Sequence, residues 1–146
     1  MSTTDLTKEL NHLLSDFHIF YQNTRGFHWN IKGKRFFELH MKFEEFYTES
    51  LTAIDEIAER ILTIGGSPLH TFQDYQEVSD LTVYKDVSED TECVEGVKEQ
   101  YIQLIAQENK VKDIASEIGD NETEDMMIGL INTQQKTIWM LNAWLG

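Results

Sequence analysis

Hydrophobic residues recur at intervals of three and four along most of the chain, the spacing that forms one face of an α-helix. The first such stretch runs from Leu6 to about Gly33, and the second from Phe36 to Gly65-Gly66. Pro68 follows this glycine pair, in the order of residues that is typical of a helix end. No segment has the sustained alternation typical of a β-strand. The pattern therefore predicts two long helices in the N-terminal half.

The segment 67–88 mixes helix-forming and turn-forming residues, so we interpret it as a crossover with at most one short helix, around Thr71 to Val78. A third periodic stretch starts near Glu89, where Ser88 is the expected N-cap, and ends at Gly119. The crossover is long enough to connect two long helices that are not joined by a tight turn.

A fourth helix follows almost at once. Asn121 and Glu124 have the spacing of a capping box, and the hydrophobic stripe continues to Leu145. Two long helices, a long crossover and two helices joined by a tight turn describe an all-α, ferritin-like four-helix bundle. We expect residues 1–146 to form one such domain, with a short extra helix in the crossover between helices two and three.

The composition is that of an ordinary folded protein, with 40% hydrophobic residues, 8 Gly and 1 Pro. Its 26 Asp and Glu against 12 Lys and Arg give a net charge of -14, which repels nucleic acid and attracts cations. The single cysteine, Cys93, excludes an internal disulfide and a thiolate metal cluster. Without a recognisable signal sequence or membrane span, we expect a cytoplasmic protein.

The strongest chemical signal is a set of ionisable residues on the hydrophobic face of the second helix: His40, Glu44, Asp55 and Glu59. They are separated by 4, 11 and 4 residues, close to whole helical turns. Leu51 and Leu62 lie on the same face. A carboxylate beside such a hydrophobic surface costs free energy unless it is paired or binds a metal.

One chain does not suffice to close this set around a metal, because Glu44 and Asp55 lie about 16 Å apart along a helix. However, the residue numbers of His40 and Glu59 have the same sum as those of Glu44 and Asp55. An antiparallel copy of the helix would therefore place His40 opposite Glu59 and Glu44 opposite Asp55. We expect a two-fold dimer with two equivalent sites, in which the small Ser50 allows close approach at the axis.

Imidazole and carboxylate ligands without sulfur suit iron, zinc or manganese, and iron fits this balance well. His28, at the end of helix one, is a candidate second imidazole. The alternative is that these are boundary residues that form salt bridges with Lys42, Arg60 or a neighbour. A centre within one bundle would use two Glu-x-x-His motifs, and the sequence has one such spacing, Glu9 with His12.

Five segments of the sequence are distinctive in combination: Phe27-His28-Trp29-Asn30-Ile31-Lys32-Gly33, Phe36-Phe37-Glu38-Leu39-His40, Asp55-Glu56-Ile57-Ala58-Glu59-Arg60, the turn Gly119–Asp125 and the closing Ile138–Leu145. Together they resemble the Dps-type miniferritins, and the resemblance extends over essentially the whole chain. The resemblance implies a hollow shell of twelve identical subunits. It also implies di-iron ferroxidase centres between two-fold related subunits.

By position, the resemblance makes Asp55 and Glu59 of one subunit and His28 of its partner the ligands of the tighter iron. His40 and Glu44 would support a second, weaker position, although many members of the family have Asp where this chain has Glu44. The implied reaction is oxidation of two Fe(II) by hydrogen peroxide, with ferric mineral stored in the cavity as protection against oxidative stress. Zinc is a possible substitute in purified protein.

The acidic turn between the last two helices has two interpretations: capping and solvation, or a path by which cations enter the shell. DNA binding is expected to be weak, because lysine is sparse before helix one and the chain carries a net charge of -14. Two alternatives to a ferroxidase and iron store remain. One is a nucleoid-associated or surface-binding shell that acts as a scaffold, and the other is a metal-free interaction bundle.

Overall fold

The structure, a computed structural model that describes residues 1–146, contains five helices and no β-strand. They are α1 (Thr3–Asn30), α2 (Phe36–Thr63), α3 (Phe72–Val78), α4 (Asp90–Ile118) and α5 (Asn121–Leu145). The four long helices and the short crossover helix agree with the architecture that the hydrophobic spacing predicts. No helix is long and apolar enough to cross a membrane.

The bundle is closely packed along three of its sides. α1 packs against α2 and α4, α4 packs against α5, and α3 packs against α1, whereas α2 and α5 are more widely separated. Large side chains that fill the core include Phe20, Phe27 and Phe43, each fully buried. Burial of such side chains supplies the main favourable term in folding, about 1.5–3 kcal/mol for each.

The helix ends differ slightly from the sequence prediction. α1 ends at Asn30, and Gly33 adopts a φ of 120° in the turn that follows. Glu89, and not Ser88, caps α4, because its carboxylate accepts hydrogen bonds from two backbone N–H groups of the first turn. Asp120, and not Asn121, caps α5 by accepting from the backbone N–H of Thr123. In both cases a carboxylate one residue from the predicted cap reaches the helix N-terminus.

Polar side chains of α1 hold the crossover in place. The Asn11 side chain hydrogen-bonds to the backbone of Ser67 and Leu69. The Asp16 carboxylate accepts from the backbone N–H of Asp80. The Asn23 side chain hydrogen-bonds to the backbone of Thr82 and Tyr84. These contacts satisfy backbone groups of a segment without regular structure. They fix α3, whose N-cap is Thr71, against the outside of α1.

One polar contact joins α2 to α5. The Arg60 guanidinium donates to the Asp120 carboxylate and the Thr123 hydroxyl, at 2.9 Å in each case. The hydrogen bonds from Thr123 and the charge of Arg60 lower the pKa of Asp120, outweighing its partial burial. This contact holds the C-terminal end of α2 against the turn that begins α5.

Candidate metal centre

The end of α1 and the start of α2 bring two histidines into contact. The His28 and His40 rings stack with their centroids 3.7 Å apart and their planes inclined by 10°. His28 is buried and His40 is half-buried. The sequence predicted both residues as metal ligands, but their direct contact depends on how α1 and α2 pack.

Each histidine also binds the backbone of the other. His28 Nδ1 lies 2.5 Å from the carbonyl oxygen of His40, and His40 Nδ1 lies 2.6 Å from that of His28. A carbonyl oxygen only accepts, so each Nδ1 carries the proton and donates it. This arrangement leaves each Nε2 available as the second ring nitrogen, in the manner of metal-binding histidines whose other nitrogen is held by a hydrogen bond.

Glu44 extends this pair of imidazoles with a carboxylate. Its Oε1 atom lies 3.6 Å from His28 Nε2, and the Glu44 side chain is 60% exposed. Tyr47, one turn further along α2, lies beside the same ring, with centroids 5.3 Å apart. Burial and the Glu44 carboxylate raise the pKa of Tyr47. The sequence analysis missed Tyr47, although its position three residues after Glu44 places it on a neighbouring part of the helix surface.

Asp55 and Glu59 lie elsewhere on α2, exposed to solvent. Neither carboxylate takes part in an ion pair or a side-chain hydrogen bond. The cations proposed as their alternative partners are engaged by other acids, since Lys42 pairs with Glu45 at 2.7 Å and Arg60 pairs with Asp120. Within the single chain, no three His, Cys, Asp or Glu side chains are placed so that together they could hold one metal ion. The predicted ligands thus fall into two separate sets.

Both sets lie on one exposed surface of α2, which we call the ligand face: Phe37, His40, Glu44, Leu51, Asp55, Glu59 and Leu62. At 3.6 residues per turn these side chains span an arc of about 100°. Among them, Phe37 is 80% exposed, Leu51 51% and Leu62 58%. Large hydrophobic side chains alternate here with unpaired carboxylates, a combination typical of a surface that is covered in an assembly.

Ser50 corrects one detail of the predicted interface. It is buried inside its own bundle, with its hydroxyl donating to the Tyr47 carbonyl oxygen. It points away from the ligand face, because one residue along a helix turns the side chain by about 100°. Thr48 and Leu51, which flank the midpoint of the symmetric pairing and are both exposed, occupy the place expected for Ser50.

His18 and His12 lie in structural surroundings, at the contact between α1 and the crossover. His18 stacks on Tyr75, and burial lowers the pKa of His18 to about 4. His12 Nε2 lies 3.0 Å from an Asp80 carboxylate oxygen, across the contact between α1 and the crossover. Trp29 and Trp139 are 56% and 66% exposed. The Arg25 guanidinium lies over the Trp29 ring at 4.7 Å.

A family model for the ferritin-like domain matches residues 7–146. The chain is 41% identical over 139 residues to DNA protection during starvation protein 2 of Bacillus anthracis, covering 94% of each protein. Its fold matches a crystal structure of a DPS protein from Vibrio cholerae O1 with a TM-score of 0.97 and 42% identity, covering 99% of this chain and 91% of that chain. That protein is described as a member of a broad superfamily of ferritin-like diiron-carboxylate proteins.

A structure of Dps from Listeria innocua soaked with zinc also matches, with a TM-score of 0.93 and 30% identity over 97% of this chain and 96% of that one. Each of these matches extends over nearly the full length of this chain and of the matched protein. The chain therefore belongs to the ferritin-like proteins and, among them, to the Dps-type miniferritins, a family associated with iron storage and protection.

Proposed function

We propose that this protein is a ferroxidase and iron store whose oxidation sites form between two copies of the chain. In a two-fold dimer with antiparallel α2 helices, His40 lies opposite the partner's Glu59 and Glu44 opposite the partner's Asp55. The observation that supports this most strongly is the division of the ligands on the ligand face. One chain supplies the imidazoles at one end and two unpaired carboxylates at the other.

The exposed hydrophobic residues support the same pairing independently of the ligands. The residue numbers of Phe37 and Leu62 have the same sum as those of His40 and Glu59. The dimer would therefore bury Phe37, 80% exposed in the single chain, against the partner's Leu62, 58% exposed. Hydrophobic contacts at both ends of the paired helices stabilise a dimer and exclude water from the sites between them.

The ring geometry favours two neighbouring ions over one shared ion. The lone pair of each Nε2 lies in its own ring plane, and the two planes are nearly parallel. One ion does not fit in both planes at an ordinary ligand distance, so His28 and His40 each suit a separate ion. We propose that His28, with the partner's Asp55 and Glu59, binds the first Fe(II), and that His40 and Glu44 support the second.

Fe(II) and hydrogen peroxide are the proposed substrates. Two Fe(II) each give one electron, the peroxide O–O bond breaks, and two protons complete two water molecules. Because both electrons come from one site, no hydroxyl radical leaves it. The chain contributes by fixing the tautomer of each imidazole and by supplying carboxylates that offset the charge of the ferric product. The same oxygen and nitrogen donors would accept Zn(II) in place of iron.

We further propose that the dimers assemble into a shell of twelve subunits that holds the ferric mineral. Glu122, Glu124 and Asp125 lie at the start of α5, where Asp120 is occupied by capping and by Arg60. These carboxylates would concentrate cations at the entrance to the shell. The net charge of -14 repels the phosphate backbone of DNA, so the protein should bind DNA only weakly.

The test is anaerobic loading of the purified oligomer with Fe(II), followed by stoichiometric peroxide, with ferric absorbance and hydroxyl-radical trapping as readouts. Native protein should oxidise iron rapidly without radical. The variant Asp55→Asn should lose rapid oxidation, and Glu56→Gln, which changes an adjacent exposed carboxylate, should retain it. Equal rates in native protein and Asp55→Asn would exclude the proposed site and favour a scaffold role for the shell.

A further inference from the structure

The wider gap between α2 and α5 contains a cavity of about 130 Å³. Its walls are partly aromatic, from Phe20, Phe46 and Tyr101, and partly polar, from Glu49 and Gln134. Glu49 lies about 130° around α2 from the centre of the ligand face. The cavity is therefore separate from the proposed oxidation site.

Two buried side-chain oxygens in this part of the core have no hydrogen-bond partner. Gln134, in the cavity wall, is 5% exposed, and Glu108, next to it, is 0% exposed. The Gln134 amide nitrogen donates to Glu108 Oε2 at 2.7 Å, which leaves Gln134 Oε1 and Glu108 Oε1 unpaired. Leaving a buried acceptor unpaired costs free energy, so an occupant that donates hydrogen bonds would be stabilised here.

The charges around the cavity favour a positive occupant. No Lys, Arg or His lies in its wall. Burial raises the pKa of Glu108 to about 8, with the hydrogen bond from Gln134 opposing the shift, and burial and Glu45 raise the pKa of Glu49. Burial together with the charges of Glu49 and Glu108 also raises the pKa of Tyr101. A cation placed near these groups would be attracted to their ionised forms and would favour ionisation of Glu108.

The aromatic part of the wall favours a cation that carries an apolar group. Aromatic faces attract cations and also bury alkyl groups favourably. The cavity is somewhat smaller than the ~150 Å³ engineered cavity that accepts benzene. A molecule of four or five heavy atoms with one N–H-rich end therefore matches it in size, charge and hydrogen bonding.

We propose that the cavity between α2 and α5 is a binding site for a small primary alkylammonium ion. Its N–H groups donate to Gln134 Oε1 in the cavity wall, where Glu108 lies directly behind Gln134, and its alkyl group packs against Phe20 and Phe46. The Glu49 carboxylate contributes attraction from the wall on α2. Binding ionises Glu108, so uptake of the ligand is accompanied by release of a proton.

The experiment titrates the intact oligomer with n-propylammonium and, in parallel, with 1-propanol, which has the same length and no charge. Calorimetry in buffers of different ionisation enthalpy measures affinity and proton release. Propylammonium should bind saturably and release protons at pH 7, and propanol should bind at least about tenfold more weakly. Glu108→Gln should weaken propylammonium binding by about tenfold or more, and Glu95→Gln, on an exposed part of α4, should leave it unchanged.

Glu108→Gln keeps the shape of the side chain and an oxygen that accepts from Gln134. Gln134→Met, which removes the unpaired amide oxygen by a different route, should weaken binding in the same way, and circular dichroism verifies the fold of both variants. Equal affinity for propylammonium and propanol, unchanged binding in both variants, or crystals soaked with propylammonium that show water only in the cavity would each overturn the proposal.

Discussion

The imidazoles of His28 and His40 form a reciprocal pair, in which each Nδ1 donates to the other residue's carbonyl oxygen and the rings stack at 3.7 Å. The pair joins the end of α1 to the start of α2. It fixes the orientation of both Nε2 atoms within the single chain. Preorganised ligands lower the cost of ordering a site when its ions arrive.

This pair predicts the tautomer of both rings in the metal-free protein. Because carbonyl oxygens only accept, the neutral tautomer of His28 and of His40 should carry its proton on Nδ1 and not on Nε2. Nitrogen-15 shifts of the imidazoles in metal-free oligomer measure this directly. Observation of the Nε2–H form at both histidines would contradict the reciprocal pairing.

The hydrophobic ends of the ligand face should control dimer formation. Phe37→Glu places a charge opposite the partner's Leu62 and should shift the dimer toward monomer by tenfold or more, since burying an unpaired carboxylate costs at least about 1.4 kcal/mol. Sedimentation at dilute protein concentration measures the shift. Val83→Glu, at a residue 68% exposed in the crossover, is the control and should sediment like native protein. Unchanged association of Phe37→Glu would place the interface elsewhere.

Arg60 should matter more for stability than an ordinary surface cation. Its side chain is 19% exposed, and that of Asp120 is 14% exposed. Arg60→Met would leave the Asp120 carboxylate without its partner and should lower the free energy of unfolding by about 3 kcal/mol. Urea denaturation checks this, with Lys98→Met on α4 as the comparison. A loss no larger than that of Lys98→Met would show that the contact between α2 and α5 contributes little.

Glu108 should make stability depend on pH in a recognisable direction. Burial raises its folded pKa to about 8 from 4.5, so between these values the folded chain holds a proton that the unfolded chain has released. Stability is therefore highest below the lower value and falls as pH rises, by up to about 1.4 kcal/mol per unit, until Glu108 ionises.

The neutral variant Glu108→Gln removes this dependence. Its free energy of unfolding should therefore rise relative to that of native protein as pH increases from 5 to 8. Chemical denaturation of both proteins at each pH measures the difference. Parallel stability curves for the two proteins would mean that Glu108 is ionised in the folded state throughout.

The sequence predicted the four long helices because a stripe of hydrophobic residues repeated every three to four positions is sufficient to define them. The caps at Glu89 and Asp120 were missed by one residue, since a side chain's reach to a backbone N–H depends on the local turn. The prediction that Ser50 lies at the dimer axis was wrong. The symmetric numbering locates the midpoint of the paired segment of α2, but it does not determine which side chain at that midpoint points outward.

The candidate site shows the same division between local and tertiary information. The spacing of His40, Glu44, Asp55 and Glu59 predicted that they share a face, since helix geometry alone fixes it. The contact between His28 and His40 and the unpaired oxygen of Glu108 depend on the packing of separate helices. No periodicity in one segment encodes such a contact, and only the assembled bundle reveals it.

The most direct test of sites shared between subunits is complementation. His28→Ala and Glu59→Gln should each abolish rapid Fe(II) oxidation in homo-oligomers. Equal amounts of the two variants are unfolded together and reassembled at random. Half of the resulting dimers then contain one subunit of each variant, and each of these mixed dimers has one intact site of two. The mixture should therefore recover about a quarter of native activity. Recovery near this level would establish that one site uses both chains. No recovery, with shells of native size and stability, would contradict the account.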